Sequence, residues 1–339
     1  MKKLFYYTGL FLLCVTPSLL KAQHVETLQQ GKPASFRGLS VVDDNIAWAS
    51  GSRGTIAVTA DGGKTWDWKQ VKGFEKSDFR DIEAFSGKEA IIMSSGTPAL
   101  ILKTTDGGNN WQVKYNNADT AYFFDAMDFD SPKHGLVLGD PIDGKFLLME
   151  TKDSGETWAP FKNPPDALTG EASFAASGTC LRIDKSGIIG IVTGGNQSRM
   201  LEFINNQNYW MQTNLKLLHG KPSEGGFSFA NNDTIQVFVG GDYAKDKRTD
   251  SVAASIVYCC YAPPQYFPQK GPTGFQSCVE YLSGNTFLST GTPGSNITTD
   301  GGKTWGKIDD ASYNVCRKAK HGSLVLLAGD KGRIGIFKP

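Results

Sequence analysis

Three arginines, Arg37, Arg53 and Arg80, each follow closely on an aromatic or a glycine. A guanidinium holds a carboxylate through a planar two-pronged fork, so such a set could capture an anionic ligand. Tyr243 with Glu171 could form a base-assisted phenol nucleophile, and Asp125 could act as acid and base. Asp81, Asp140, Asp143, Arg199 and Asp242 complete the polar set. The chemistry on offer is ligand capture or glycoside hydrolysis. The other reading is a set of solvated loop charges and ion pairs, and both stay open. No residue is assigned as catalytic, because hydrolysis requires a carboxylate separation that a sequence does not state.

Other chemistries find less footing. His24, His134, His219 and His321 stand apart, without ligand or triad spacing. Cys259–Cys260 is a plain pair and lacks the Cys-x-x-Cys spacing of a redox motif. No glycine-rich loop opens a helix, so no nucleotide cofactor is expected, and no metal either. The formal net charge of +1 and the lack of a basic run give no reason to expect nucleic acid as a partner.

The elements that carry these residues repeat. "TADGGKTW" (59–66) returns as "TTDGGNNW" (104–111), "TKDSGETW" (151–158) and "TTDGGKTW" (298–305). The first three start 45 and 47 residues apart, and the gap to the last is three steps of 49. "FINNQNYW" (203–210) is a degenerate copy, and near 250–265 "YCCYAPPQYF" replaces any box. Two further markers carry the count to seven. A glycine closes a β-rich run at Gly51, Gly96, Gly139, Gly194, Gly240, Gly291 and Gly329. An aromatic opens a strand at Phe36, Phe79, Phe124, Phe174, Phe227, Phe275 and Tyr313. Each unit reads as four strands, as in "FRDIEAF", "EAIIMSS", "ALILKTT" and "WQVKYN".

Radial repetition of four-stranded antiparallel units predicts an all-β, seven-bladed β-propeller. The last unit ends at Pro339 without a fourth strand, and "HVETLQ" (24–29) is a spare one at the other end. That strand is expected to close the ring in the last blade. The box sits between strands three and four. Its "DGG" suits a turn with positive φ. Asp61, Asp106, Asp153 and Asp300 are expected to hold turn N–H groups, with Trp66, Trp111, Trp158 and Trp305 covering the hairpins. A calcium loop would need further oxygen ligands that the box lacks. The boxes occupy one face. The start of strand one and the end of strand two open on the other, where the polar set gathers.

The four boxes resemble Asp boxes, or BNR repeats, of pattern Ser/Thr-x-Asp-x-Gly-x-Thr-Trp, with Asn110 departing in the second. Such boxes occur in sialidases, sortilin-type receptors and photosystem II stability/assembly factor-like proteins. "GSRGT", "FRDIEAF", "GDPIDGKF", "FAASGT" and "GGDY" resemble the last group's exported bacterial relatives. This resemblance implies a binding or scaffold role toward an exported or membrane protein. The sialidase branch implies a glycosidase or a glycan-binding propeller. Its Phe/Tyr-Arg-Ile-Pro stretch is only faintly echoed by "FRGL" (36–39), without the proline.

Residues 1–22 read as a signal peptide: Lys2 and Lys3, an apolar run, then Ala22 before a mature start at Gln23. The expectation is an exported monomer, periplasmic or extracellular, with one propeller domain over 23–339 and no membrane span after cleavage. Five mature cysteines, Cys180, Cys259, Cys260, Cys278 and Cys316, then meet an oxidising compartment. Buried thiols are one reading. A bridge between Cys278 and Cys316, each three residues after a repeated aromatic, is the other.

Overall fold

Short β-branched and aromatic runs separated by glycine turns cannot extend into long strands, so they pair locally as meanders. The computed structural model describes residues 23–184, 186–204, 207–232, 234–258 and 265–339. The signal-peptide reading, Cys259–Cys260 and Asn205 of the degenerate box lie outside the described residues. Seven antiparallel sheets form the blades of a propeller. Their innermost strands are Phe36–Val41, Asp81–Ala84, Phe124–Phe129, Leu181–Ile183, Glu224–Asn231, Cys278–Ser283 and Val315–Lys318, and neighbouring ones pack around a central channel. Blade two has the expected strands: Asp81–Ala84, Ala90–Met93, Ala99–Thr104 and Gln112–Asn117.

The ring closes as the strand count requires. His24–Gln29 pairs antiparallel with Ile334–Lys338 at the edge of blade seven, His24 opposite Lys338 and Val25 opposite Phe337. The Phe36 N–H then donates to the Gly329 carbonyl, joining blade one to blade seven.

The repeated markers have a packing reason. A Cβ at Gly51, Gly139, Gly240 or Gly291 would lie within 1.9–2.3 Å of a carbonyl oxygen where the chain enters its own inner strand. Only a glycine permits that approach. The repeated aromatics wedge in beside them, and Phe36, Phe79 and Phe124 are fully buried. The fourth unit departs from the pattern. Its inner strand begins at Leu181, not at Phe174. Glu171–Ala172 instead pairs with Gly194–Gly195, which joins the inner edge of blade five through Gly225. Phe174 stacks flat on Phe227, with ring centroids 3.8 Å apart.

Each Asp box is a self-contained turn that also staples two blades. In the first, the Thr65 N–H and the Thr59 hydroxyl both donate to Asp61 Oδ1 at 2.9 Å, and the Thr65 hydroxyl donates to Oδ2 at 2.6 Å. In the second, the Asn110 amide donates to Asp106 at 2.7 Å, so the departure from threonine preserves the bond. The N–H after each aspartate donates to the opposite hairpin of its own blade: Gly62 to Asn45, Gly107 to Lys88, Ser154 to Lys133 and Gly301 to Asn285. The next residue presses on the preceding blade. A Cβ at Gly155 would lie 2.3 Å from Ile91 Cδ1, and one at Gly108 would lie 2.7 Å from Ile56 Cδ1. The box aspartates therefore hold turns.

Candidate functional site

Opposite the boxes, the entries to blades one and two bring Arg37 and Arg80 together. Arg37 is the second residue of its inner strand, and Arg80 stands just before the next. Arg80 Nε donates to Asp78 at 2.8 Å, and its guanidinium lies over the Phe123 ring with 6.0 Å to the centroid. Arg37 is half-buried and makes no hydrogen bond or ion pair with any described residue. Burial, then Arg80, pulls its pKa below the arginine norm, against Asp330 and Asp78. Asp330 is itself engaged by the Ser35 hydroxyl and the Asn314 amide. Two cations thus share one rim, one of them with open donors.

Below them lies a buried acidic pair. Asp125 is 1% exposed, and neither of its oxygens has a hydrogen-bond partner. The Ala175 N–H faces it but falls short of hydrogen-bond geometry. Burial raises the Asp125 pKa well above the carboxylate range, Asp140 raises it further, and Arg80 opposes. Burial also raises Asp140, whose Oδ1 is unpartnered.

Asp81 points into the channel wall, where it accepts from the Met127 N–H of blade three at 2.8 Å. Burial lifts its pKa to about 7, partly offset by Arg317. Arg317 belongs to a network that the sequence reading missed. Arg182 Nη2 donates to Glu280 across the channel at 2.8 Å. Asp128 accepts from the Ile183 N–H at 2.6 Å, and burial lifts it to about 6. Arg317, despite burial, is held charged by Glu280, Asp81 and Asp128. A signal existed: Glu83, Asp128, Glu280 and Arg317 each fall four or five residues after a repeated aromatic.

The remaining candidates are dispersed. Glu171 binds Arg199 and the Thr193 hydroxyl inside the protein. Asp242 is buried and caps the turn Tyr243–Lys245 through the Ala244 N–H at 2.9 Å. Hydrogen bonds to Ser223 and Ala244 hold its pKa low despite the cost of burial. Tyr243 is 54% exposed and stands edge-on over Phe174, Phe227 and Phe275. Arg53 and Asp143 are exposed turn residues with positive φ. The structure therefore gathers Arg37, Arg80, Asp125 and Asp140, and it does not assemble Tyr243 with Glu171.

Among the described residues no three His, Cys, Asp or Glu side chains are disposed to hold a metal ion, and no helix is long and apolar enough to cross a membrane.

A search of curated protein sequences gave no match. Among solved structures, the chain is similar to YCF48 bound to D1 peptide, with 17% identity, a TM-score of 0.66, and 94% of this chain and 98% of that chain covered. It is similar to YCF48 from Cyanidioschyzon merolae, with 17% identity, a TM-score of 0.62, and 93% and 99% covered. The Neurospora crassa Pan2 WD40 domain aligns with 12% identity, a TM-score of 0.62, and 95% and 97% covered. At such identities the likeness is one of fold. Residues 21–118 match the family model of the photosynthesis system II assembly factor YCF48, so the chain is a seven-bladed Asp-box propeller whose closing strand and first two blades resemble that assembly factor.

Proposed function

We propose that this chain is an exported binding propeller of the assembly-factor kind, which holds a segment of another exported or membrane protein on the face opposite the Asp boxes. The observation that carries this reading is the Arg37–Arg80 pair on one rim, with the Arg37 donors unused among the described residues. Like charges held side by side are costly until an anion joins them. A peptide carboxylate fits the two forks. Exposed Arg53 of blade one and Tyr243 of blade five would widen the contact on the same face. The solved complex of a YCF48 with a D1 peptide lends support by likeness of fold. A glycosidase finds less support, because Glu171 is engaged by Arg199 instead of Tyr243. Export rests on residues 1–22, and an N-terminus at Gln23 in protein recovered from the host would bear it out.

The test is a paired pull-down from host envelope extract, read by mass spectrometry. One bait is the chain from residue 23, and the other carries Arg37→Ala and Arg80→Ala with folding checked by circular dichroism. A partner retained by the first and lost by the second is the expected result. No specific partner on either bait would sink the reading.

A further inference from the structure

At several seams of the ring, an N–H on the inner strand of one blade is met by a side chain of the blade before. Ala84 donates to Ser40 Oγ at 3.1 Å, Met127 to Asp81 at 2.8 Å, Ile183 to Asp128 at 2.6 Å and Val279 to Ser228 Oγ at 2.9 Å. Between blades six and seven a sulfur takes this place. The Cys316 N–H meets Cys278 Sγ at 3.4 Å, and the two sulfurs are 3.7 Å apart. Sulfur is a weak acceptor, so this seam has the weakest of these links. It is also where the blade that closes the ring meets its neighbour.

We propose that Cys278 and Cys316 are a disulfide site that joins blades six and seven covalently when the chain meets a thiol–disulfide oxidant. Both are free thiols in this structure and both are 0% exposed. A disulfide has an S–S length of about 2.05 Å, so the sulfurs must close by about 1.6 Å, a shift within reach of small side-chain rotations. The thiolate of one cysteine first attacks the oxidant's disulfide and releases one thiolate of it. The thiolate of the other cysteine then attacks the mixed disulfide at the first cysteine's Sγ and releases the oxidant's second thiolate. Two protein thiols lose two protons and two electrons, and the oxidant's disulfide is reduced to two thiols. Because neither sulfur is exposed in the closed ring, exchange occurs during folding, before the seam shuts. Cys180 lies apart, its Sγ 3.6 Å from the Phe174 carbonyl.

The test uses the chain from residue 23, refolded from urea in a reduced and oxidised glutathione mixture, then alkylated and digested without reductant. Mass spectrometry is expected to find the Cys278 and Cys316 peptides linked, two hydrogens lighter than their sum, and separated by dithiothreitol. The urea midpoint of the oxidised protein should exceed that of the reduced protein. That difference should vanish in Cys316→Ala, while Cys180→Ala retains it. Full alkylation of both cysteines after glutathione refolding, or linkage of either to Cys259 or Cys260, would overturn the proposal. The peptide readout is made on the unmutated chain, so it stands whether or not either variant folds.

Discussion

Glu171 Oε1 accepts from Arg199 Nε at 2.7 Å and its Oε2 from Nη2 at 2.5 Å, with neither side chain more than 3% exposed. The pair fastens the loop before blade four to the third strand of that blade. Removing one member of such a pair leaves an uncompensated buried charge. Glu171→Ala should therefore lower unfolding free energy in urea by about 3–5 kcal/mol. Arg199→Met with Glu171→Leu should recover much of this loss, which a double-mutant cycle would read. A loss of partner binding without loss of stability in Glu171→Ala would contradict this structural role.

The Asp-box glycines offer a second check. Gly155 has φ +76° and its Cβ position runs into Ile91, whereas Gly144 has φ +80° and open space. Alanine at either site pays for left-handed backbone, about 1–2 kcal/mol. Gly155→Ala should cost about 1–3 kcal/mol more from overpacking. Equal urea midpoints for the two variants would count against interblade stapling.

Stability should peak near pH 4–5. Hydrogen bonds from Thr65, Asn110 and Thr157 hold Asp61, Asp106 and Asp153 at about 2. An unfolded aspartate titrates near about 3.9. Their contribution is full above that value and is lost as pH falls toward 2. Asp81 and Asp128 run the other way. Burial raises them to about 7 and about 6, so the folded chain keeps protons that the unfolded chain releases near pH 4. Stability then declines from about pH 4 to 7. Asp81→Asn, which keeps an acceptor for the Met127 N–H, should flatten that decline in a series of urea melts. A midpoint that stays level from pH 5 to 8 in the unmutated chain would refute the assignment.

Deleting residues 23–29 removes the outer strand of blade seven and bares the edge of Ile334–Lys338. An exposed edge recruits other chains. The expected outcome is a broad, less cooperative melt with oligomers on size-exclusion chromatography. A monomer with an unchanged melt would mean that the closing strand is dispensable.

Arg37 makes no hydrogen bond or ion pair among the described residues, so Arg37→Ala should leave the unfolding free energy in urea within about 0.5 kcal/mol of the parent. If the channel face binds an acidic segment, the same change should weaken binding about tenfold or more, with Arg37→Lys intermediate. Isothermal titration against the partner recovered by pull-down reads both. Equal affinity of all three proteins would remove Arg37 from the interface.

The sequence by itself determined the fold. The boxes, the aromatics and the glycines recur in one phase because every blade solves the same local problem: a strand entry with no room for a Cβ, and a hairpin that must satisfy its own N–H groups. Counting them gave seven blades, and the unit missing a fourth strand pointed to His24–Gln29. Those are short-range rules, written in adjacent residues. Only the tertiary structure decided which charges meet. Ring closure set Arg37 beside Arg80 and Asp330, and it placed Arg317 of blade seven against Asp81 of blade two. It also withdrew Glu171 into an ion pair and left Tyr243 standing on three phenylalanines. The repeat sets such charges at like positions of each blade, but which of them meet and how deeply they are buried depends on residues up to hundreds of positions apart.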